Sequence, residues 1–360
     1  MVSMSKSGSR AWIDVDLGAL VENARTVARI TGARLLPVVK ANAYGLGAVA
    51  VSRALEQLEP WGYGVATIEE GAELRAAGIT RPVLVFMPTR AQLFDQYDRH
   101  QLTPALGDAG SILEWTTRSE RPFHVEIDTG MGRAGARWDE VDELGEAVDT
   151  PALEGCYTHF HSADRDDGSA EKQVERFQSA IKRLPRRPTL LHVANSAAAV
   201  RGKTFAFDLV RPGIFLYGGA PGPAFEQPKP VVTVRARVLS VRRVPKGESV
   251  SYGASWVAPR DTVVATLGIG YADGIRREAG VRGKAQVLLR GKRCPIVGVV
   301  QMDMTLVETG ATEVQVGDVA TIVGEEAKQS ITLNELATWS DALTHEVLTG
   351  LGQRLPRNYK

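Results

Sequence analysis

The feature that most constrains the fold is a repeated alternation of two patterns. Between about residues 12 and 217, short apolar runs of strand character recur, separated by longer stretches with apolar residues at helical spacing. The runs are LLPVVK (35–40), YGVAT (63–67), PVLVF (82–86), TPAL (103–106), FHVEID (123–128), GCYTHFH (155–161), LLHVAN (190–195) and GIFLYG (213–218). LGALVENARTVARIT and IEEGAELRAAG exemplify the amphipathic pattern. Eight strand-then-helix units in roughly 210 residues predict an α/β domain of the (β/α)8 TIM-barrel type. A doubly wound open sheet shares the alternation, but the number of strands favours the barrel.

After the Pro/Gly-rich stretch GGAPGPAFEQPKP (218–230) the pattern changes. VVTVRARVLSVRRV, TVVATLGIG, AQVLLRG, KRCPIVGVVQMDMTLVE and VATIVG are rich in β-branched residues and divided by glycine-containing turns. The expected organisation is a polar tail at 1–10, a barrel at 11–230 and a mostly β domain at 231–360.

Bulk properties narrow the function classes. The 360 residues carry 43 basic and 42 acidic side chains, a net charge of +1, which gives no support to nucleic-acid binding. No apolar run reaches the roughly 18 residues of a membrane span, and MVSMSKSGSRAW lacks the apolar stretch of a secretory signal. Cys156 and Cys294 form neither a disulfide framework nor a metal-ligand spacing, so no metal site is expected and a reducing, cytoplasmic location is.

VVKANAYGLG puts Lys40 at the C-terminal end of the first strand, the end from which barrel enzymes build their sites. A lysine there can simply be a solvated strand end. Alternatively, partial desolvation releases its proton, and the neutral amine captures an aldehyde as a Schiff base. HVANSAAA (192–199) and RPGIFLYGG (211–219) flank the seventh and eighth strands, where this fold recurrently binds phosphate. Small residues such as Ser196 and Gly213 allow close approach of phosphate oxygens. A capturing lysine beside a phosphate cradle implies pyridoxal 5'-phosphate.

These motifs, with THFHSAD, VSYGASW, GIGYADG and the Met302-Asp303 pair, occur in the order seen in alanine racemases, and the chain resembles that family in both domains. The resemblance implies racemisation of a small amino acid, L- and D-alanine, by two bases on opposite faces of the substrate carbon. Lys40 matches the cofactor-bearing base and Tyr252 the opposing one. Arg211 matches the arginine beside the pyridine nitrogen, although a structural ion pair with a barrel carboxylate is the alternative. His159 and His192 are implied to join Arg211 and Tyr252 in a hydrogen-bonded chain. Tyr44, Ser196, Gly213 and Ile214 match phosphate-binding positions, and Arg133 and Met302 match substrate-carboxylate contacts. Tyr271 and Asp303 match the entrance.

Because Lys40 and Tyr252 lie in different domains, the resemblance implies a homodimer in which second-domain residues complete the partner copy's site. Three positions depart from the common pattern. Leu46 and Gln353 replace a histidine and a tyrosine. Glu126 stands seven residues before Arg133, where several members carry a carbamylated lysine; a glutamate supplies the negative charge directly. A serine or broader small-amino-acid racemase, a related decarboxylase, and a non-enzymatic pyridoxal-phosphate carrier are the alternatives.

Overall fold

The computed structural model describes residues 8–222, 225–280 and 283–360. Residues 1–7 of the expected polar tail lie outside these. The chain divides into two compact units, one comprising residues up to Leu20, Tyr217–Gly219 and Lys229–Lys360, the other Val21–Leu216 and Ala220–Pro228.

The second of these is a parallel barrel. Its strands are Arg34–Leu35, Tyr63–Val65, Val83–Val85, Thr103–Leu106, Phe123–Asp128, Leu153–Tyr157, Leu190–His192 and Leu209–Val210. Six of them, from Tyr63–Val65 to Leu190–His192, form one continuous parallel sheet. The ring is closed by the Val38–Gly64 bridge on one side, Leu209–Val210 pairing with Arg34–Leu35 on the other, and Asp208 and Arg211 N–H donating to Leu191 and Ala194 carbonyls. Closure leaves no exposed edge, and the lumen is filled by Leu36, Leu84, Ala105, Tyr157, Leu190 and Leu209.

Seven of the expected runs overlap a barrel strand; the eighth does not. GIFLYG (213–218) is a turn, and the last strand is Leu209–Val210. Pro212 ends the ladder by accepting from Val38 N–H, after which the N–H groups of Gly213 and Phe215 turn onto the Ser196 hydroxyl. Buried apolar runs read alike in a strand or in a buried turn.

The other unit is mostly β, as its β-branched runs predict. Its central strand, Val232–Val244, pairs with Val319–Glu326 and, beyond an irregularity at Val238–Ser240, with Thr262–Leu267. The expected start of the barrel at residue 11 differs from what is found. Ala11–Val15 lies antiparallel to Val232–Ala236 and parallel to Arg357–Tyr359, so it belongs to the β unit's sheet. Two short helices, Leu333–Trp339 and Thr344–Thr349, complete this unit.

Candidate active site

Lys40 begins a turn in which Ala41, Asn42, Ala43 and Tyr44 all have φ between 52° and 55°. Four consecutive left-handed residues, none of them glycine, carry a steric cost that the surroundings must offset. Part of the compensation is visible. Glu70 accepts from Ala41 N–H at 2.7 Å and Ala66 N–H at 2.7 Å, and the Asn42 side chain accepts from Ala48 N–H at 2.8 Å. The turn reverses the chain just past the strand, leaving Lys40 exposed at the barrel mouth and Tyr44 buried.

The surroundings of Lys40 ease the loss of its proton. Desolvation and then the positive charge of Arg133 lower its pKa, Glu70 opposes, and Arg211 adds to the lowering. His159 is held neutral by burial and by the positive charges of Arg211, Arg133 and Lys40, its pKa falling to about 3. The same charges that discourage a proton on Lys40 therefore discourage one on His159.

Arg211 is buried, and burial lowers its pKa to about 10. Its guanidinium donates to the carbonyls of His192 at 2.7 Å, Thr158 at 2.7 Å and Val193 at 3.1 Å, and to His192 Nδ1 at 2.9 Å. Among the described residues these neutral acceptors, not a carboxylate, hold it, which answers the ion-pair alternative. Of the expected chain, the link between Arg211 and His192 is present, and Arg211 has no hydrogen bond to His159 among those described.

Ser196 opens a short helical turn whose cap, Asn195, accepts from Ala198 N–H. A Cβ at Gly213 would stand 2.3 Å from the Tyr44 hydroxyl oxygen, so only glycine permits the approach of these two segments. Ile214 is buried beside them in sequence. Burial raises the Tyr44 pKa to about 12, so its hydroxyl is a neutral donor. Leu46 is fully buried and apolar.

Glu126 is buried, accepts from the Tyr157 hydroxyl at 2.9 Å and lies 3.8 Å from the Arg133 guanidinium. Burial raises its pKa, against the hydrogen bond from Tyr157 and the charge of Arg133.

In the β unit, Tyr252 is 67% exposed, Met302 53% and Tyr271 41%. Tyr252 is carried on a tight turn between Ser251 (φ 73°) and Gly253 (φ 66°). The Ser251 hydroxyl donates to the Val299 carbonyl at 2.9 Å and accepts from the Val299 N–H at 3.0 Å, pinning the turn. Tyr271 N–H donates to the Gln301 carbonyl and Ala272 N–H to that of Met302. Arg354 pairs with Asp303 at 2.9 Å and with buried Asp273 at 3.0 Å, and Arg10 also pairs with Asp273 at 2.8 Å. Segments 251–254, 270–273 and 299–303 are thus tied together, and Gln353 lies next to the arginine that ties two of them.

Three residues of the barrel network escaped the sequence reading: His124, Glu154 and Tyr157. A signal for His124 existed, since it stands two residues before Glu126 and therefore on the same strand face.

Comparison with known proteins is consistent throughout. The family model for the alanine racemase N-terminal domain matches residues 15–221, and that for the C-terminal domain matches 231–359. The alanine racemase of Carboxydothermus hydrogenoformans is 40% identical over 97% of this chain and 99% of its own. The crystal structure of alanine racemase from E. faecalis superposes with a TM-score of 0.91 at 30% identity, covering 99% of this chain and all of that one (100%). The alanine racemase of Bartonella henselae, solved with covalently bound pyridoxal phosphate, gives a TM-score of 0.90 at 31% identity over 98% of this chain and 100% of its own.

Proposed function

The chain belongs to the alanine racemase family, and from that premise we propose that it interconverts L- and D-alanine using pyridoxal phosphate held on Lys40. The observation that carries the reading is Lys40 itself: it follows a barrel strand at the mouth, with its pKa lowered by desolvation, Arg133 and Arg211.

The residues present fit the cofactor. Lys40 supplies an amine whose pKa is lowered from its ordinary value, and the segments meeting at Gly213, Tyr44 and Ser196 leave only a glycine's space, as a phosphate cradle needs. Ile214 would add a backbone N–H. When bound, pyridoxal phosphate supplies the attachment point for the amino group and the electron sink that acidifies the α-carbon.

The chain's own groups do the rest. Lys40 Nζ moves the proton on one face of the α-carbon. Arg133, set by Glu126, binds the substrate carboxylate together with the Met302 N–H. Arg211 would face the ring nitrogen; as a cation with no acceptor of its own, it would leave that nitrogen unprotonated and so restrain the electron sink. His159, held neutral, and His192 support this arrangement. Tyr252 is assigned as the base on the opposite face, with Tyr271 and Asp303 at the entrance. Removal and return of a proton on opposite faces is what inverts the centre. We assign Tyr252, Tyr271, Met302 and Asp303 to the site of a second copy, so the functional unit is a homodimer with two shared sites.

The test is racemisation of L-alanine followed by circular dichroism, together with borohydride treatment of the cofactor-loaded protein. The reduced cofactor should be found by peptide mass on Lys40, and Lys40→Ala should abolish both readouts. Cofactor fixed at another lysine, or full racemisation by Lys40→Ala, would overturn the proposal.

A further inference from the structure

The bonds around Arg211 extend into a chain that crosses the barrel core. His192 Nε2 lies 2.8 Å from His124 Nδ1, and His124 Nε2 lies 3.3 Å from a carboxylate oxygen of Glu154. Both imidazoles are fully buried, while Glu154 is partly exposed near the start of its strand. The donor inventory fixes the direction of every bond. A guanidinium has only N–H groups, so His192 Nδ1 must present its lone pair to Arg211. The proton of neutral His192 then sits on Nε2 and is donated to His124 Nδ1. His124 in turn carries its proton on Nε2 and donates it to Glu154. All bonds point one way, from buried cation to partly exposed anion, and such aligned bonds polarise one another.

Local packing is built around this arrangement. A Cβ at Gly155 would meet the His124 ring at 2.5 Å, so glycine there makes room for it. Tyr157 stacks on His192 with ring centres 5.0 Å apart at 14°, and Trp61 packs against His124 at 5.4 Å. Burial and the charge of Arg211 hold the His192 pKa well below its ordinary value, in keeping with a neutral link.

We propose that His124 and Glu154 are positioning residues for the reaction: through His192 they aim the Arg211 guanidinium. The inference rests on the racemase reading, because that reading gives Arg211 its place beside the ring nitrogen. Its physical content is separate, namely a buried cation whose orientation is relayed through two imidazoles to a partly exposed carboxylate, while Glu126 acts on its charge directly. Such outer partners commonly fix the tautomer and orientation of the group that does the work.

The experiment uses cofactor-loaded protein labelled with 15N-histidine, its signals assigned by single His→Asn substitutions. In the wild type, His192 and His124 should both show a bare Nδ1 and a protonated Nε2. His124→Phe removes the acceptor of His192, and kcat should fall roughly tenfold, about one hydrogen bond's worth, with KM within about twofold. His124→Asn returns an oxygen near the position of Nδ1 and should recover most of that loss. Glu154→Gln keeps an acceptor but removes the charge, so the tautomers should persist while kcat falls by a smaller factor. A protonated Nδ1 on His192 in the wild type, or wild-type kcat in both His124→Phe and Glu154→Gln, would overturn the inference. Should His124→Phe not fold, the wild-type spectrum and Glu154→Gln still decide it. Wild-type protein with the expected tautomers but no racemisation would instead sink the racemase reading, which separates the two failures.

Discussion

The carboxylate of Glu126 lies 3.8 Å from the guanidinium of Arg133, and the Tyr157 hydroxyl donates to the same carboxylate at 2.9 Å. A carboxyl group built into the chain thus stands beside this guanidinium. Burial raises the Glu126 pKa above its ordinary 4.5, so the folded state holds this proton more tightly than the unfolded one. Stability contributed here falls as pH rises from that ordinary value through the folded one. Glu126→Gln should therefore raise Tm at pH 8 by roughly 2–4 °C, the effect of about 1 kcal/mol in a domain of this size, and change it little at pH 4. The same substitution should raise KM for alanine severalfold by freeing Arg133. Calorimetry at the two pH values checks the first expectation and steady-state kinetics the second; a lower Tm at pH 8 would contradict the burial argument.

His159 carries the opposite sign. Its folded pKa, about 3, lies below the ordinary 6.5, so only the unfolded chain takes up a proton between those values. The corresponding stability is lost as pH falls through 6.5 toward 3. His159→Asn should flatten the decline in urea-unfolding free energy between pH 7 and pH 5. An unchanged slope would show that His159 does not contribute to it.

Asp273 anchors the β unit's exposed loops. Although burial works against its ionisation, the hydrogen bonds from Arg10 and Gly270 N–H, with the charges of Arg10 and Arg354, hold its carboxyl below the usual range. Asp273→Asn leaves two arginines without their shared counter-charge and should cost about 1–3 kcal/mol, less than a fully buried pair because both arginines reach solvent. Thermal unfolding measures the loss. Activity should fall further than stability alone explains, because the turn bearing Tyr271 and the segment bearing Met302 both depend on this network.

Shared sites predict complementation. Lys40→Ala and Tyr252→Phe proteins, each inactive in racemisation, should regain activity when mixed and allowed to exchange subunits. Random pairing makes half of the dimers mixed with one intact site each, so about a quarter of wild-type activity is expected. No recovery after verified exchange would argue that each chain builds its own site.

Much of this was legible in the sequence, for identifiable reasons. Seven barrel strands announce themselves as apolar runs between amphipathic helices, and Lys40 follows the first. The eighth was misplaced because Gly213–Gly218 is as apolar as a strand but turns onto Ser196. Chain order places Ala11–Val15 with the barrel, yet its partners lie more than 200 residues away, and no local pattern encodes a pairing so distant. The left-handed turn at Ala41–Tyr44 was invisible because it contains none of the glycines that usually mark such backbone. His124 and Glu154 were passed over for a different reason: each looks ordinary on its own strand, and only the pairing of neighbouring strands joins them to each other and His124 to His192. The link between Arg211 and His192 was anticipated; its extension to His124 and Glu154 was not.

The pairing of Lys40 with Tyr252 on opposite faces of one carbon is the central claim, and exchange of the α-proton in deuterated water tests it most directly. In Tyr252→Phe, one enantiomer should still exchange its α-proton through Lys40, while exchange from the other should nearly cease. Equal loss for both enantiomers, with proton transfer verified as rate-limiting in each direction, would contradict the assignment of the two faces.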